Sequence, residues 1–157
     1  MIIYVGGLAQ GKWELVQEKY RDITGVFDGR IPKPEELPEE TGTLVLRHPE
    51  KEAGPGHASR QDESGQARVS RQDESGSVPG SPEEEAGLLA ERIFRLEKQM
   101  TPASKLIIIT RETGSGVIPI ESSEERFREI TGRLQVLLAK EAEEVYRVCC
   151  GIAVRLK

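Results

Sequence analysis

Cysteine is scarce and badly placed for crosslinking: the two in this 157-residue chain, Cys149 and Cys150, are adjacent within an apolar run. Neighbours cannot form an ordinary structural disulfide, so a disulfide-built fold is excluded and a reducing compartment fits best. Positive charge is not in excess either. Lysine and arginine total 22 against 27 acidic residues, a net charge of −5. Nine of the acidic residues but only four of the basic ones fall between Glu50 and Gly87, so the rest of the chain is formally neutral and offers no field for nucleic acid. No apolar run approaches the ~20 residues that span a bilayer, and the first apolar run lacks a charged leader before it. These absences predict a cytoplasmic protein with no membrane or nucleic-acid partner. One further absence divides the chain. Residues 50–80 hold almost no large apolar side chains and contain SRQDESG twice, at 59–65 and 70–76. Such a segment cannot bury enough surface to offset its ordering entropy, and two polar copies supply no face to stack. It reads as a disordered acidic insertion in a single domain spanning 1–157. Replacing it with a short Gly/Ser linker is expected to leave a thermal melting curve nearly unchanged.

What is present begins at once, in MIIYVGGLAQGK. Ile2, Ile3, Tyr4 and Val5 have the β-branched, uncharged composition of a strand buried on both faces. Gly6, Gly7, Leu8, Ala9, Gln10, Gly11 and Lys12 then fit G-x-x-x-x-G-K, in which backbone N–H groups converge on phosphate oxygens, a lysine adds charge and a helix begins. The position after the lysine breaks the pattern. A hydroxyl there would ligate Mg²⁺, whereas Trp13 offers no oxygen. A plain glycine-rich loop is the competing reading.

The rest alternates in type. Trp13, Val16 and Tyr20 lie at helical spacing, predicting a helix over 12–21; residues 23–27 form only a weak apolar patch before an Asp28-Gly29 turn, and the three prolines of 31–38 permit at most a short helix. Thr43, Leu44, Val45 and Leu46 read as a second buried strand, stopped by His48-Pro49. Ser81 as N-cap, Pro82 at the first turn and Glu84 completing a capping box start a helix whose buried stripe is Leu89, Ile93, Leu96 and Met100. Residues 105–110 make the strongest strand, followed by a second glycine loop with Arg111, Glu112, Gly114 and Gly116 at a strand end, where open α/β sheets bind ligands. Ser122 with Glu125 caps a further helix to about Glu143, with Phe127, Ile130, Leu134, Leu137 and Leu138 on one face. Residues 145–150 form a strand, and Ile152, Val154 and Leu156 alternate with Ala153, Arg155 and Lys157 as a half-exposed edge strand would. The fold class is α/β.

Several of these stretches together resemble a known family. TRETGSGVIP at 110–119, RFREITGRL at 126–134, AEEVYRV at 142–148 and GIAVRLK at 151–157 are similar, in order and spacing, to motifs of the bifunctional adenosylcobinamide kinase/adenosylcobinamide-phosphate guanylyltransferases of cobalamin biosynthesis. GGLAQGK at 6–12 resembles that family's GGARSGK. The resemblance implies a three-layer α/β/α phosphate-loop (RecA-like) fold, with a mostly parallel sheet and an antiparallel C-terminal edge strand, in a homo-oligomer, usually a trimer. It implies ATP or GTP as cofactor and two reactions: phosphorylation of the adenosylcobinamide hydroxyl, then GMP transfer through a guanylylated histidine. Carried over by position, Gly6 to Trp13 would hold nucleotide phosphates with Lys12 catalytic, and Arg111, Glu112, Gly114 and Gly116 would border the site. Arg47, His48, Arg128 and Arg133 are further candidates, set against a reading as ordinary surface charges.

The departures from the family pattern cluster at the metal and the histidine. Trp13 replaces the hydroxyl ligand of Mg²⁺, Arg47 and His48 stand where the family strand ends in a carboxylate, and no histidine lies between Lys12 and Thr43. His48 and His57 both come after that strand, so the guanylyltransferase half is expected to be lost. No protein metal ligand is assigned; Mg²⁺ would arrive with the nucleotide. Two readings stay open, a divergent adenosylcobinamide kinase and a non-catalytic relative that binds nucleotide, corrinoid or a partner subunit.

Overall fold

The structure, a computed structural model, describes residues 1–37, 41–48, 80–113 and 122–157. The repeat-bearing segment, His57, Gly114 and Gly116 lie outside the described residues.

Among the described residues ten elements follow one another: β1 (Ile2–Gly6), α1 (Lys12–Lys19), β2 (Ile23–Asp28), a 3-10 turn (Pro34–Glu36), β3 (Thr43–Arg47), α2 (Pro82–Gln99), β4 (Lys105–Arg111), α3 (Ser122–Glu141), β5 (Glu144–Cys149) and β6 (Ile152–Arg155). The strands form one sheet in the order β2-β3-β4-β1-β5-β6, parallel except for the β5/β6 pair. β1 is central, with Ile3 opposite Ile108 of β4 and Val145 of β5. Alternate residues feed two cores, which is why the strands read as unbroken apolar runs. Ile3, Leu44, Leu46, Leu106, Ile108 and Val145 pack under α2 and α3, whereas Ile2, Tyr4, Val45, Ile107, Ile109 and Val148 pack with Val16 and Tyr20 on the α1 side. This is the expected three-layer phosphate-loop architecture. No helix among the described residues is long and apolar enough to cross a membrane.

The capping box of α2 forms as its sequence requires, with Glu84 N–H donating to Ser81 Oγ at 3.2 Å and Ser81 N–H donating to Glu84 Oε2 at 2.9 Å. The stripe differs in detail. Ile93 and Leu96 are buried as expected, but Ala86 and Ala90 complete the face while Leu89 and Met100 are only partly covered. Small side chains let the helix lie close to the sheet and leave the larger ones at its margin. In α3, Ile130, Leu134 and Leu138 are buried with Thr131, and Phe127 and Leu137 are less covered.

Three local expectations are corrected. Residues 23–28 are a strand, not a loose patch: β2 pairs in parallel with β3 at the sheet edge. Its register shifts between Ile23 and Gly25, and a Cβ at Gly25 would lie 2.9 Å from Leu44 Cδ1, so the position that weakens the strand signal is the one that must stay small. The two cysteines are not inside an apolar strand run. Cys149 ends β5 and Cys150, with Gly151, makes the hairpin turn at φ of 50° and 77°, leaving both thiols exposed. The inward face of β6 is likewise reversed. Ala153 packs on the α1-side core beside Val148, while Ile152 and Val154, 67% and 55% exposed, share the opposite face with Arg147.

Candidate functional site

Strand ends converge where the sheet order reverses around β1. Gly6 lies so close to β5 that a Cβ would stand 2.3 Å from the Val148 carbonyl oxygen. The Gly6 carbonyl accepts from Glu112 N–H at 3.0 Å, fixing the loop against β4 on its other side. Gly6→Ala is therefore expected to push the loop off β5. A loss of about 1–3 kcal/mol in denaturant unfolding, typical of overpacking, checks this.

Further along the loop, Ala9 and Gly11 adopt left-handed backbone at φ of 53° and 76°, and Gly11 is the residue from which α1 starts. Gln10 is held twice by the β5/β6 hairpin: its carbonyl accepts from Gly151 N–H at 3.0 Å and its side-chain oxygen from Cys150 N–H at 2.5 Å. A Cβ on Gly11 would meet Gly151 Cα at 3.3 Å, so loop and hairpin pack backbone to backbone. Leu8 is exposed at the tip. The result is a closed loop ending on a helix N-terminus, a geometry that presents N–H groups and a partial positive charge.

Lys12 is the most constrained side chain here. It is only 6% exposed, and its Nζ donates to the carbonyls of Gly6 at 3.0 Å and Gly7 at 2.5 Å. Burial first, then the Arg111 guanidinium, push its ammonium below the ordinary lysine range, with Glu14 acting the other way. An anion resting on the loop opposes both effects and would favour the charged form.

The next residue faces different company. The Arg47 guanidinium lies over the Trp13 ring, 5.1 Å from its centroid, and its Nε is 3.0 Å from Asp28 Oδ1. Asp28, Arg47 and Trp13 thus join the ends of β2 and β3 to the first turn of α1 through an ion pair and a cation–π contact. His48 follows at φ of 51°, with its N–H donating to the Ile109 carbonyl at 2.7 Å. An indole and a guanidinium are no donors for Mg²⁺, and the one carboxylate of this cluster, Asp28, is paired to Arg47. Among the described residues no group of three or more His, Cys, Asp or Glu side chains is placed to hold a metal.

On the other flank, Glu112, Thr113, Glu125, Arg128, Glu129, Gly132 and Gln135 line a cleft between the end of β4 and α3. Gln135 ties the two together, donating to Thr110 Oγ1 at 3.0 Å and to the Arg111 carbonyl at 2.6 Å, and Arg147 of β5 pairs with Glu112 at 3.1 Å. Arg128 is in the cleft wall. Arg133 turns away to Glu129 and Glu83, at 2.8 and 3.7 Å. The sequence candidates Gly6 to Trp13, Arg47, His48, Arg111 and Glu112 therefore lie on one sheet edge. Asp28, Gln135, Arg147 and the Cys150-Gly151 turn join them without having been singled out. Asp28 carried a signal as an acid at the end of an apolar segment, and Gly151 as the glycine that breaks the last strand run.

The profile of the family described as "Cobinamide kinase / cobinamide phosphate guanyltransferase" matches residues 72–156, more than half of the chain. The loop at 6–12 lies before that match. Among curated proteins, the bifunctional adenosylcobalamin biosynthesis protein CobU of Salmonella typhimurium is 41% identical over 59 residues, which is 38% of this chain and 32% of that protein. The protein of the same name from Escherichia coli K12 matches to the same extent. The shared segment thus spans about a third of the length of these curated relatives.

Proposed function

The chain belongs to the cobinamide kinase/cobinamide phosphate guanyltransferase family, and from that premise we propose that it serves cobalamin biosynthesis by binding GTP or ATP on residues 6–12 and passing the terminal phosphoryl group to the hydroxyl of adenosylcobinamide. The observation that carries this reading is buried Lys12, held by the Gly6 and Gly7 carbonyls at the start of α1. It fixes a cation at the root of the 6–12 loop, beside the N-terminus of α1. In the transfer, the acceptor oxygen bonds to the terminal phosphorus as the bridge to the leaving nucleoside diphosphate breaks, and the hydroxyl proton passes to the transferred phosphoryl oxygens or to water. Lys12 and the α1 N-terminus offset the charge on the phosphate oxygens, and positioning supplies most of the rate. The cleft beside Glu112, whose N–H bonds the Gly6 carbonyl, is the proposed place for the acceptor, with Arg147 holding the Glu112 carboxylate and Gln135 holding the end of β4 before it. The chain's own side chains supply no metal ligand in this scheme; Mg²⁺ would come with the nucleotide. The assembly proposed is a homo-oligomer, the trimer implied by family resemblance. Calorimetric titration with GTP and ATP, with and without Mg²⁺, followed by a phosphoryl-transfer assay on adenosylcobinamide, tests the whole reading. Absence of any nucleotide binding would sink it.

A second reading rests on Arg47. Its guanidinium is stacked on Trp13 and paired to Asp28 where a metal-bound phosphate would otherwise meet oxygen ligands. A relative that binds nucleotide, corrinoid or a partner subunit without catalysis is consistent with that substitution of charge. Binding without turnover would select it.

Under both readings the guanylyltransferase half is lost. Intact-mass measurement after incubation with GTP is expected to show no acid-labile GMP adduct, and a stoichiometric adduct on His48 would overturn this.

A further inference from the structure

The turn that holds the phosphate loop also carries the only two thiols of the chain. Cys149 and Cys150 are both exposed, with Sγ atoms 3.8 Å apart. The N–H groups of Cys150 and Gly151 are the donors that grip Gln10. Three consecutive residues thus combine a dithiol with both hydrogen bonds from hairpin to loop. We propose that Cys149 and Cys150 form an oxidisable dithiol site whose closure to a vicinal disulfide releases Gln10 and opens the phosphate loop.

Geometry links the two events. Bonded sulfurs lie about 2.05 Å apart and bridged Cα atoms usually about 4.4–6.8 Å, whereas adjacent Cα atoms are only about 3.8 Å apart. Drawing the sulfurs together therefore twists the peptide between the two cysteines. Cys150 already sits in left-handed backbone, and in that setting its N–H donates to the Gln10 side chain. The twist turns this donor away. Gly151 follows in the same turn, so its bond to the Gln10 carbonyl loosens with it.

The oxidant is a low-molecular-weight disulfide such as oxidised glutathione. One cysteine thiolate attacks it, forming a mixed disulfide and expelling one glutathione thiolate. The second cysteine then attacks the protein-side sulfur and expels the other. Two protein thiols lose two electrons and two protons, and the oxidant is reduced to two thiols. A strained, exposed disulfide belongs to the readily reduced kind, so excess thiol reverses the change. The inference concerns the loop's conformation and holds whichever nucleotide the loop accepts.

The test treats the full chain with oxidised glutathione, then reads intact mass and backbone amide exchange of a peptide covering residues 6–15, with no nucleotide present. The mass is expected to fall by two hydrogens with no interchain crosslink, the loop peptide to exchange several-fold faster, and dithiothreitol to restore both. Cys149→Ser and Cys150→Ser should each retain a single glutathione and keep slow loop exchange. Gln10→Ala should exchange fast without oxidant. Retention of two glutathiones, a crosslinked dimer, or an internal disulfide that leaves loop exchange unchanged would each overturn the proposal.

Discussion

Lys12→Ala is expected to cost at least tenfold, and up to several hundredfold, in affinity for GTP or ATP, read by calorimetric titration. A charge-assisted hydrogen bond contributes about 1.5–3 kcal/mol, and the loop's N–H groups and the α1 dipole would remain to hold a residual affinity. The loss has a second component. Lys12 Nζ donates to the Gly6 and Gly7 carbonyls, so its removal leaves the Gly7 carbonyl to find water and the Gly6 carbonyl with the Glu112 N–H, which loosens the loop. Lys12→Arg is expected to recover little, because a planar guanidinium cannot follow an ammonium into a site 6% exposed between those two carbonyls. If Lys12→Ala binds nucleotide as tightly as the wild type, the phosphate site is elsewhere and the proposed function falls.

Trp13→Ser combined with Arg47→Asp is expected to create strong Mg²⁺ dependence in a protein that otherwise shows little. Trp13→Ser supplies one hydroxyl oxygen. Arg47→Asp removes a cation and also frees Asp28 from its 3.0 Å ion pair, so carboxylates would then end both β2 and β3. Like charges at neighbouring strand ends repel until a divalent ion arrives, which makes the gain contingent on Mg²⁺. The two positions touch through the cation–π contact, so their effects should not add; a coupling of roughly 0.5–3 kcal/mol in GTP affinity with Mg²⁺ is expected for residues sharing a partner. Tight Mg²⁺-dependent binding by the wild type, with no gain in the double variant, would remove the main support for the non-catalytic reading.

Legibility in the sequence followed locality. The central strand, the capping box at Ser81 and Glu84 and the strongest strand, read over 105–110 and found over Lys105–Arg111, each depend on residues within a few positions of one another, and each forms. β2 was hidden because its stabilising partner is β3, and because Gly25, needed for clearance from Leu44, looks like a breaker. The outward face of β6 is set by its register with β5, Ala153 lying opposite Val148, which no alternation pattern encodes. Gly151 marks a break between the last two strand runs, but Cys150 reads as part of the strand because cysteine rarely occupies left-handed backbone, where asparagine or aspartate would have announced a hairpin. At the site, the loop residues were legible but their restraints were not. Asp28, Arg47 and Trp13 come from three elements, and Gln10 meets a turn some 140 positions away.

The placement of β1 has a consequence in time. Its first residue, Ile2, pairs with Ile107 on one side and Glu144 on the other, so both neighbours of the central strand are made long after it. Closing loops of that length is slow, and parallel pairing gives no local hairpin to start from. During synthesis the strand must wait, apolar and unpaired, while β4 emerges, and Gly6 cannot be seated until Val148 and the hairpin behind it have left the ribosome. The part of the chain that bears the 6–12 loop is thus made before its supports, and any truncation that removes β5 should abolish the loop's folded form while leaving every residue of G-x-x-x-x-G-K in place.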